Sequence, residues 1–558
     1  MFLRNSRTTI TAIAAALIVT SCSLFDDVTY SVTPSPLEAH GDSVRVSITG
    51  AVPEKSINKS AIADVTPVIR WEGGEKALKT VTVQGEKAAG NGIVINSKSG
   101  GNFTYSDVVA YDPMMMKSEL FIAASAGKGT NRKELGEAKV ADGVIATPYL
   151  VQIDHKAIMA QDAFQRIITE RSTATINYLV NSPQVRASEL KDIDMKEWDA
   201  LLKDIANNER LAAKAIDIEA YASPEGEVDR NDKLADGRAK SAKQTTDGIM
   251  KKAKLGDIDG SYLEKGNGED WKGFRTLMEA SDIEDKALII RILETYSDVN
   301  EREKEIKNLS KTYTEIAEDI LPKLRRAEMV LSYDVIGYSD EELIELSKSN
   351  LDSLKLEELL YAAELHSDDA TKLSVYKHAE ARFTDDYRAA NNIGGIYYMQ
   401  GKMADASAQF TKASNIEKNA TTSNNTGIMV HRNGDRKKAA EMFREGMSAG
   451  TEAAYNLGIV NIQDGDYGSA VSNYKGYDSV NSALAALLNG DAASASNILD
   501  RAEEGDSAVA HYIRAIIAAR GSDAASVNSH LQMAISKDPS LKDRAMKDAE
   551  FLGMTLSL

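Results

Sequence analysis

The last third of the chain carries a spacing that few folds can satisfy. Glycine recurs between helix-like segments at Gly401, Gly434, Gly465, Gly490 and Gly521. Five residues after each of the first four stands an alanine: Ala406, Ala439, Ala470 and Ala495. Four residues further on, in the first three units, comes an aromatic: Phe410, Phe443 and Tyr474. Twelve residues before the first three alanines lie Gly394, Gly427 and Gly458. Offsets that agree over successive units describe helical hairpins, and one hairpin cannot bury its apolar face without a neighbour. Residues 350–558 therefore read as an all-α solenoid. The small residues let paired helices approach, and the aromatic is expected to plug the gap to the next hairpin. The interval from Gly465 to Gly490 is short, so one unit is truncated.

These offsets resemble tetratricopeptide repeats, whose period is about 34 residues. Ala534-Ile-Ser-Lys-Asp-Pro539 also matches a repeat ending. The resemblance implies a groove along the stack that receives a protein partner.

Residues 28–150 read as all-β. Polar and apolar side chains alternate in VTYSVTP, SVRVSITG and TVTVQG, the pattern of strands with one buried face. His40-Gly41-Asp42, Gly73-Gly74, Gly90-Asn91-Gly92 and Gly100-Gly101 supply turns. Short strands at this spacing predict a sandwich of immunoglobulin-like type, though without a Cys–Trp–Cys pattern. Met114–Met116 after Pro113 read as core filling at a strand entry.

Residues 165–340 mix both elements. Ala174–Leu179 reads as a strand and Ser188–Ala206 as a helix, with Leu190, Trp198, Leu201, Leu202 and Ile205 near helical spacing. Lys214–Ala222 is a second strand, Asp232–Met250 a second helix, and Gly260–Lys265 a third short strand before Gly266-Asn-Gly268. A helical insertion spans about 271–321, and Glu328–Ile336 closes as a strand. This order predicts a mixed sheet with helices packed on one side.

Within it, IDIEAYASPEGEVDRNDKLADGRAKSA (216–242) runs strand, polar turn, helix. Gly226, Asn231, Leu234, Arg238 and Ala239, with Arg325-Arg326 before the last strand, resemble the signature of OmpA-like domains, which hold bacterial outer membranes to peptidoglycan. The resemblance implies a zwitterionic ligand, the diaminopimelate of the stem peptide. Such a ligand needs one acid and one base a short distance apart, and arginine suits its carboxylate. The candidate contacts are Ser223, Glu225, Asn231 and Arg238. The chain departs from the family at the acid: Ser223 occupies the aspartate position, Glu225 lies two residues on, and Pro224 alters the backbone between. Ala235 replaces the serine that follows the motif leucine.

Arg4 and Arg7 precede an apolar run from Ile10 to Val19, too short to span a bilayer and typical of a secretory leader. It ends in Val19-Thr20-Ser21-Cys22, which resembles a lipobox. Residues 1–21 then form the leader, and Cys22, the only cysteine, is the expected site of acylation (palmitate among the chains). A mature chain so modified has no thiol for disulfides and hangs from the membrane by lipid. Ser23 is not the aspartate of inner-membrane retention, so the outer membrane is favoured, facing the periplasm more than the cell surface. Asp26-Asp27 faintly resemble an export tag of Bacteroidota surface lipoproteins.

The net charge of −18 argues against a nucleic-acid partner, which needs a basic face. The seven histidines include no pair at ligand spacing and no HExxH, and no nucleophile elbow or phosphate-binding Gly-rich loop occurs. No metal, cofactor or catalytic residue is expected. The sequence thus points to a non-enzymatic, multidomain envelope lipoprotein: a β-sandwich, a central α+β domain of OmpA-like type contacting peptidoglycan, and a C-terminal repeat array holding a protein partner. The competing reading is an adaptor subunit of an outer-membrane complex whose central domain no longer binds the wall.

Overall fold

Alternation along Ser43–Val52 is realised as a strand whose every second side chain is buried. The computed structural model describes residues 24–558 except 256, 257, 259 and 260; the leader and Cys22 lie outside the described residues. The chain divides into two compact units. One joins the described residues up to Gln161 with Tyr376–Leu558, and the other is Asp162–Val375.

In the first unit, two sheets face each other. Thr29–Thr33, Leu37–His40, Ser43–Val52, Gly101–Ala110 and Val144–Ile145 form one; Ile62–Trp71, Gly74–Ala77, Val81–Gly85, Ile93–Ile95, Ser118–Lys128 and Asn131–Asp142 form the other. Val44, Val46, Ile48, Phe103 and Tyr105 from the first meet Ala63, Val65, Ile69, Leu120 and Ile122 from the second in one core, as in face-packed sandwiches. The methionine run splits. It forms a short 3₁₀ turn, Pro113–Lys117, in which only Met115 enters the core and Met114 is exposed.

The helices after residue 387 pair as hairpins: Arg388–Met399 with Met403–Ile416, Ala420–Arg432 with Arg436–Gly446, Thr451–Asp464 with Tyr467–Asn473, Val480–Leu488 with Ala492–Arg501, and Ala508–Arg520 with Ala524–Lys537. The seven-residue helix Tyr467–Asn473 is the truncated element. Gly401, Gly434, Gly465 and Gly490 take positive φ at the hairpin turns, a conformation open to glycine at little cost. At the fifth turn that conformation passes to Ser522 (φ 61°) and Gly521 stays helical.

The aromatic packs on its own hairpin: a Cβ added to Gly394 would lie 2.6 Å from the Phe410 ring, and one at Gly458 would lie 2.6 Å from Tyr474. The missing side chain is the seat for the ring. Phe410 also shares a core with Ile428 and Ala439 of the next hairpin.

In the second unit the sheet order is Ile167–Asn177, Arg326–Ile336, Leu211–Ala222, Tyr262–Glu269, with only the last pair parallel. Helices Ile193–Asn207 and Val228–Ala253 share its core through Trp198, Leu202, Ile205, Ala239 and Ala242. The first helix begins later than its apolar spacing suggests; Leu190 falls in a separate 3₁₀ turn and is exposed. The third strand is longer than expected and runs through Gly266-Asn-Gly268. Helices Trp271–Ala280, Lys286–Thr295, Val299–Lys307 and Ser310–Asp319 fill the insertion, with a core of their own around Phe274, Met278, Ile289 and Ile316.

Candidate functional site

The turn after Leu211–Ala222 and the start of Val228–Ala253 border a cleft of about 500 Å³. Ser223, Glu225, Asn231 and Arg238 all line it. Arg238, ten residues into its helix, turns its side chain back under the sheet edge and is 1% exposed. Its Nη1 donates to the carbonyl of Tyr221 at 2.8 Å, its Nη2 to that of Leu179 at 3.2 Å, and its Nε to that of Ser182 at 3.2 Å. The guanidinium also lies 5.4 Å from the Tyr178 ring centre. Burial pulls its pKa down to about 10, so it stays cationic at neutral pH.

Glu225 is engaged as well. Arg325 donates to its Oε1 from Nη2 at 2.7 Å and from Nε at 3.1 Å, and the Ser223 hydroxyl donates to the same oxygen at 2.8 Å. Asn231 donates to the Glu225 carbonyl at 3.1 Å and to Glu269 at 2.8 Å. The four predicted residues therefore form one polar cluster, with acid and arginine each committed to an internal partner. Arg326, the second of the closing pair, faces away from this cluster. It bonds Asp270, which caps the first insertion helix, at 2.6 Å, and Glu328 at 2.7 Å.

The insertion supplies residues that sequence reasoning did not assign to the site. Glu303 accepts the Gly226 amide at 2.7 Å and pairs with Lys307. Lys307 and Tyr313 line the cleft. Burial would lower the Lys307 pKa, but pairing with Glu303 outweighs it and holds the ammonium above its ordinary value. Arg230, on the first turn of the helix, lines the cleft with its side chain exposed. The only signal for these contacts was the position of the insertion just before Arg325.

A second site lies in the first unit. After the 3₁₀ turn Thr147–Leu150, residues 151–161 have no regular secondary structure, yet they are threaded along the first helices of successive hairpins. Each of four asparagines takes one residue of this segment by both backbone groups. Asn481 accepts from the amide of Gln152 and donates to its carbonyl, both at 2.8 Å. Asn456 does so with Lys156 at 2.7 and 2.8 Å, Asn425 with Ile158 at 2.8 and 2.8 Å, and Asn392 with Ala160 at 2.7 and 3.0 Å. Asn391 and Asn424 add bonds to the carbonyls of Ile158 and Lys156. The carboxamides are also tied to each other, Asn425 to Asn391 at 2.8 Å and Asn456 to Asn424 at 2.9 Å. A carboxamide has one acceptor and two donors, so it can hold a peptide unit and a neighbouring side chain at once. On this face the groove expected to receive a protein partner is occupied by the chain's own segment. The available signal was asparagine two residues before each of Gly394, Gly427, Gly458 and Ala483.

Histidines distant in sequence also meet. His155 lies 4.7 Å from His431 between ring centres, and His511 Nδ1 lies 3.2 Å from His530 Nδ1. Among the described residues, no group of three or more His, Cys, Asp or Glu side chains is placed to hold a metal ion, and no helix is long and apolar enough to cross a membrane.

No family model and no curated protein matches the sequence. Among solved structures it is similar to a tetratricopeptide repeat protein from Parabacteroides merdae, at 14% identity over 38% of this chain and 90% of that one, with a TM-score of 0.28. It is similar to YrrB, described as a TPR protein with an unusual peptide-binding site, at 18% identity over 38% of this chain and 100% of that one, with a TM-score of 0.22. It is also similar to the APC/C hetero-tetramer Cut9-Hcn1, at 12% identity over 64% and 82%, with a TM-score of 0.31. On the geometry of its own hairpins, the chain is a multidomain protein with a β-rich N-terminal region and a C-terminal region that is helical and TPR-like.

Proposed function

We propose that this chain is a non-enzymatic protein scaffold, hung from the outer membrane by lipid on Cys22, and that its central α+β domain does not grip peptidoglycan. One observation carries the second half of this reading. The acid and the arginine that a zwitterionic amino acid would need are closed on internal partners, Glu225 on Arg325 and Arg238 on three carbonyls. A buried guanidinium with three of its N–H donors already on backbone oxygens has less to gain from an incoming carboxylate than a free one. Glu303 at the Gly226 amide, with Lys307 beside it, already places a carboxylate and an ammonium at the cleft rim. The scaffold half is supported by the repeats, which hold a peptide segment through its backbone.

The rival reading, a wall tether, keeps one observation in its favour: the cleft beside Ser223 and Asn231 has room for a ligand. Calorimetric titration of the delipidated full chain with purified muropeptides containing diaminopimelate separates the two. We expect no saturable heat, and retention on sacculi that is the same for wild type and Glu225→Gln. Saturable muropeptide binding that Glu225→Gln weakens would return the chain to the tether class. Labelling with radioactive palmitate, lost in Cys22→Ser, tests the anchor separately.

A further inference from the structure

Apart from the Asn481 bond to the Asp154 carboxylate, the bonds from the asparagines to the segment reach only backbone atoms, and those accept any residue able to donate an amide. They recur at Gln152, Lys156, Ile158 and Ala160, even-numbered positions whose backbone groups share one side of an extended chain. Proline is excluded there because it has no N–H. Selectivity comes from what the side chains meet. The Asp154 carboxylate accepts from the Tyr455 hydroxyl at 2.6 Å and from Asn481 at 2.8 Å. The Lys156 ammonium sits 4.6 Å from the Tyr455 ring centre and 5.7 Å from that of Tyr477, the geometry of a cation–π contact. The His155 ring is buried between His431 and Phe443, and the Tyr398 hydroxyl donates to its carbonyl at 3.1 Å. Ile158 and Ala160 are buried. Met159 lies over Gly395, where an added Cβ would come within 2.4 Å of its sulfur.

We infer that this face is a peptide-binding site and that residues 150–161 are its resident ligand. An extended segment of another protein with the same order can exchange with that resident ligand: acid, flat ring, cation, small (Ala157 packs against the repeat core), aliphatic, flexible apolar, small. An incoming segment recovers every backbone bond the resident loses, so what opposes the exchange is the tethering of the resident, which raises its effective concentration. The inference deepens the scaffold reading and rests on it; muropeptide titration does not bear on it, so the two can fail separately.

The probe is a fluorescein-labelled synthetic peptide with the sequence of residues 150–162. It is titrated by anisotropy into the full wild-type chain and into a full chain with a weakened resident segment, His155→Asp with Ile158→Asp. The expected result is binding at least tenfold tighter by the weakened chain, abolished when Asn425→Ala is added. A folded weakened chain that does not bind the peptide overturns the proposal. If the weakened chain loses its melting transition, hydrogen exchange of the wild-type chain decides. Faster amide exchange of residues 152–160 under excess unlabelled peptide supports exchange of the ligand, and no acceleration overturns it.

Discussion

Asn425 and Ile158, far apart in the chain, exchange two hydrogen bonds: the carboxamide oxygen accepts the Ile158 amide at 2.8 Å and the carboxamide nitrogen donates to the Ile158 carbonyl at 2.8 Å. Both partners are buried, so neither backbone group has water as a substitute.

Asn425→Ala is therefore expected to cost more than an ordinary surface hydrogen bond. Two backbone groups of Ile158 lose a partner in a dry site, although Asn391 keeps a bond to the carbonyl. A loss of about 2–3 kcal/mol is expected, read as a lower midpoint in urea. Asn481→Ala, at the partly exposed end by Gln152, should cost less. Equal and negligible losses at both positions would mean the ladder is not a stabilising contact.

His155 is buried with neither ring nitrogen hydrogen-bonded. Burial, then the neighbouring His431 and Arg432, press its pKa down to about 3 from 6.5. The folded state holds His155 neutral, while the unfolded chain takes up a proton below pH 6.5. The contribution is therefore fully present above pH 6.5 and is lost as pH falls from there toward 3, at up to about 1.4 kcal/mol per pH unit. Burial lowers the pKa of His366, His431 and His530 as well, with the same sign. His155→Phe removes both the proton and the unsatisfied nitrogens, so its stability should fall less between pH 6.5 and 5 than that of the wild type, as followed by urea melts at each pH.

Gly394→Ala tests the seat of the aromatic. The new methyl would meet the Phe410 ring at 2.6 Å, and overpacking of this kind costs about 1–3 kcal/mol. Adding Phe410→Leu should recover part of that loss, making the pair less destabilised than the sum of the singles in denaturant melts.

Arg238→Ala strips the donor from three carbonyls in a buried site. We expect a loss of about 3 kcal/mol or more in stability with no change in retention on sacculi. Reduced retention by a variant that still melts like the wild type would give Arg238 a role in binding.

Much of the architecture was written locally. The glycine, alanine and aromatic offsets report contacts inside one hairpin, so they were readable without knowing the rest of the chain. Alternation in Ser43–Val52 reports a sheet face within a single strand. What escaped was set by distant partners. Residues 152–160 carry no periodicity, because their order comes from asparagines on helices more than 200 positions away. The asparagines themselves recur with the repeat but look like polar surface until something lies across them. At the cleft, the motif placed Ser223, Glu225, Asn231 and Arg238 together. It gave no hint that Arg325 would take Glu225 or that Glu303 would reach the Gly226 amide, since Glu303 comes from within the insertion and Arg325 from beyond it. At the late start of Ile193–Asn207, Asp194 in the first turn accepts the amides of Met195 and of Thr175 in the strand, and Leu190 is left in the 3₁₀ turn before it.

Residues 151–161 are held by the repeats and do not lie free as a linker. Amide-resolved hydrogen exchange on the full chain tests this directly. The amides of Gln152, Lys156, Ile158 and Ala160 should be protected to the level of the helices that carry the asparagines, and Asn425→Ala should release Ile158. Exchange of all four within seconds, at the rate of an unstructured linker, would contradict it.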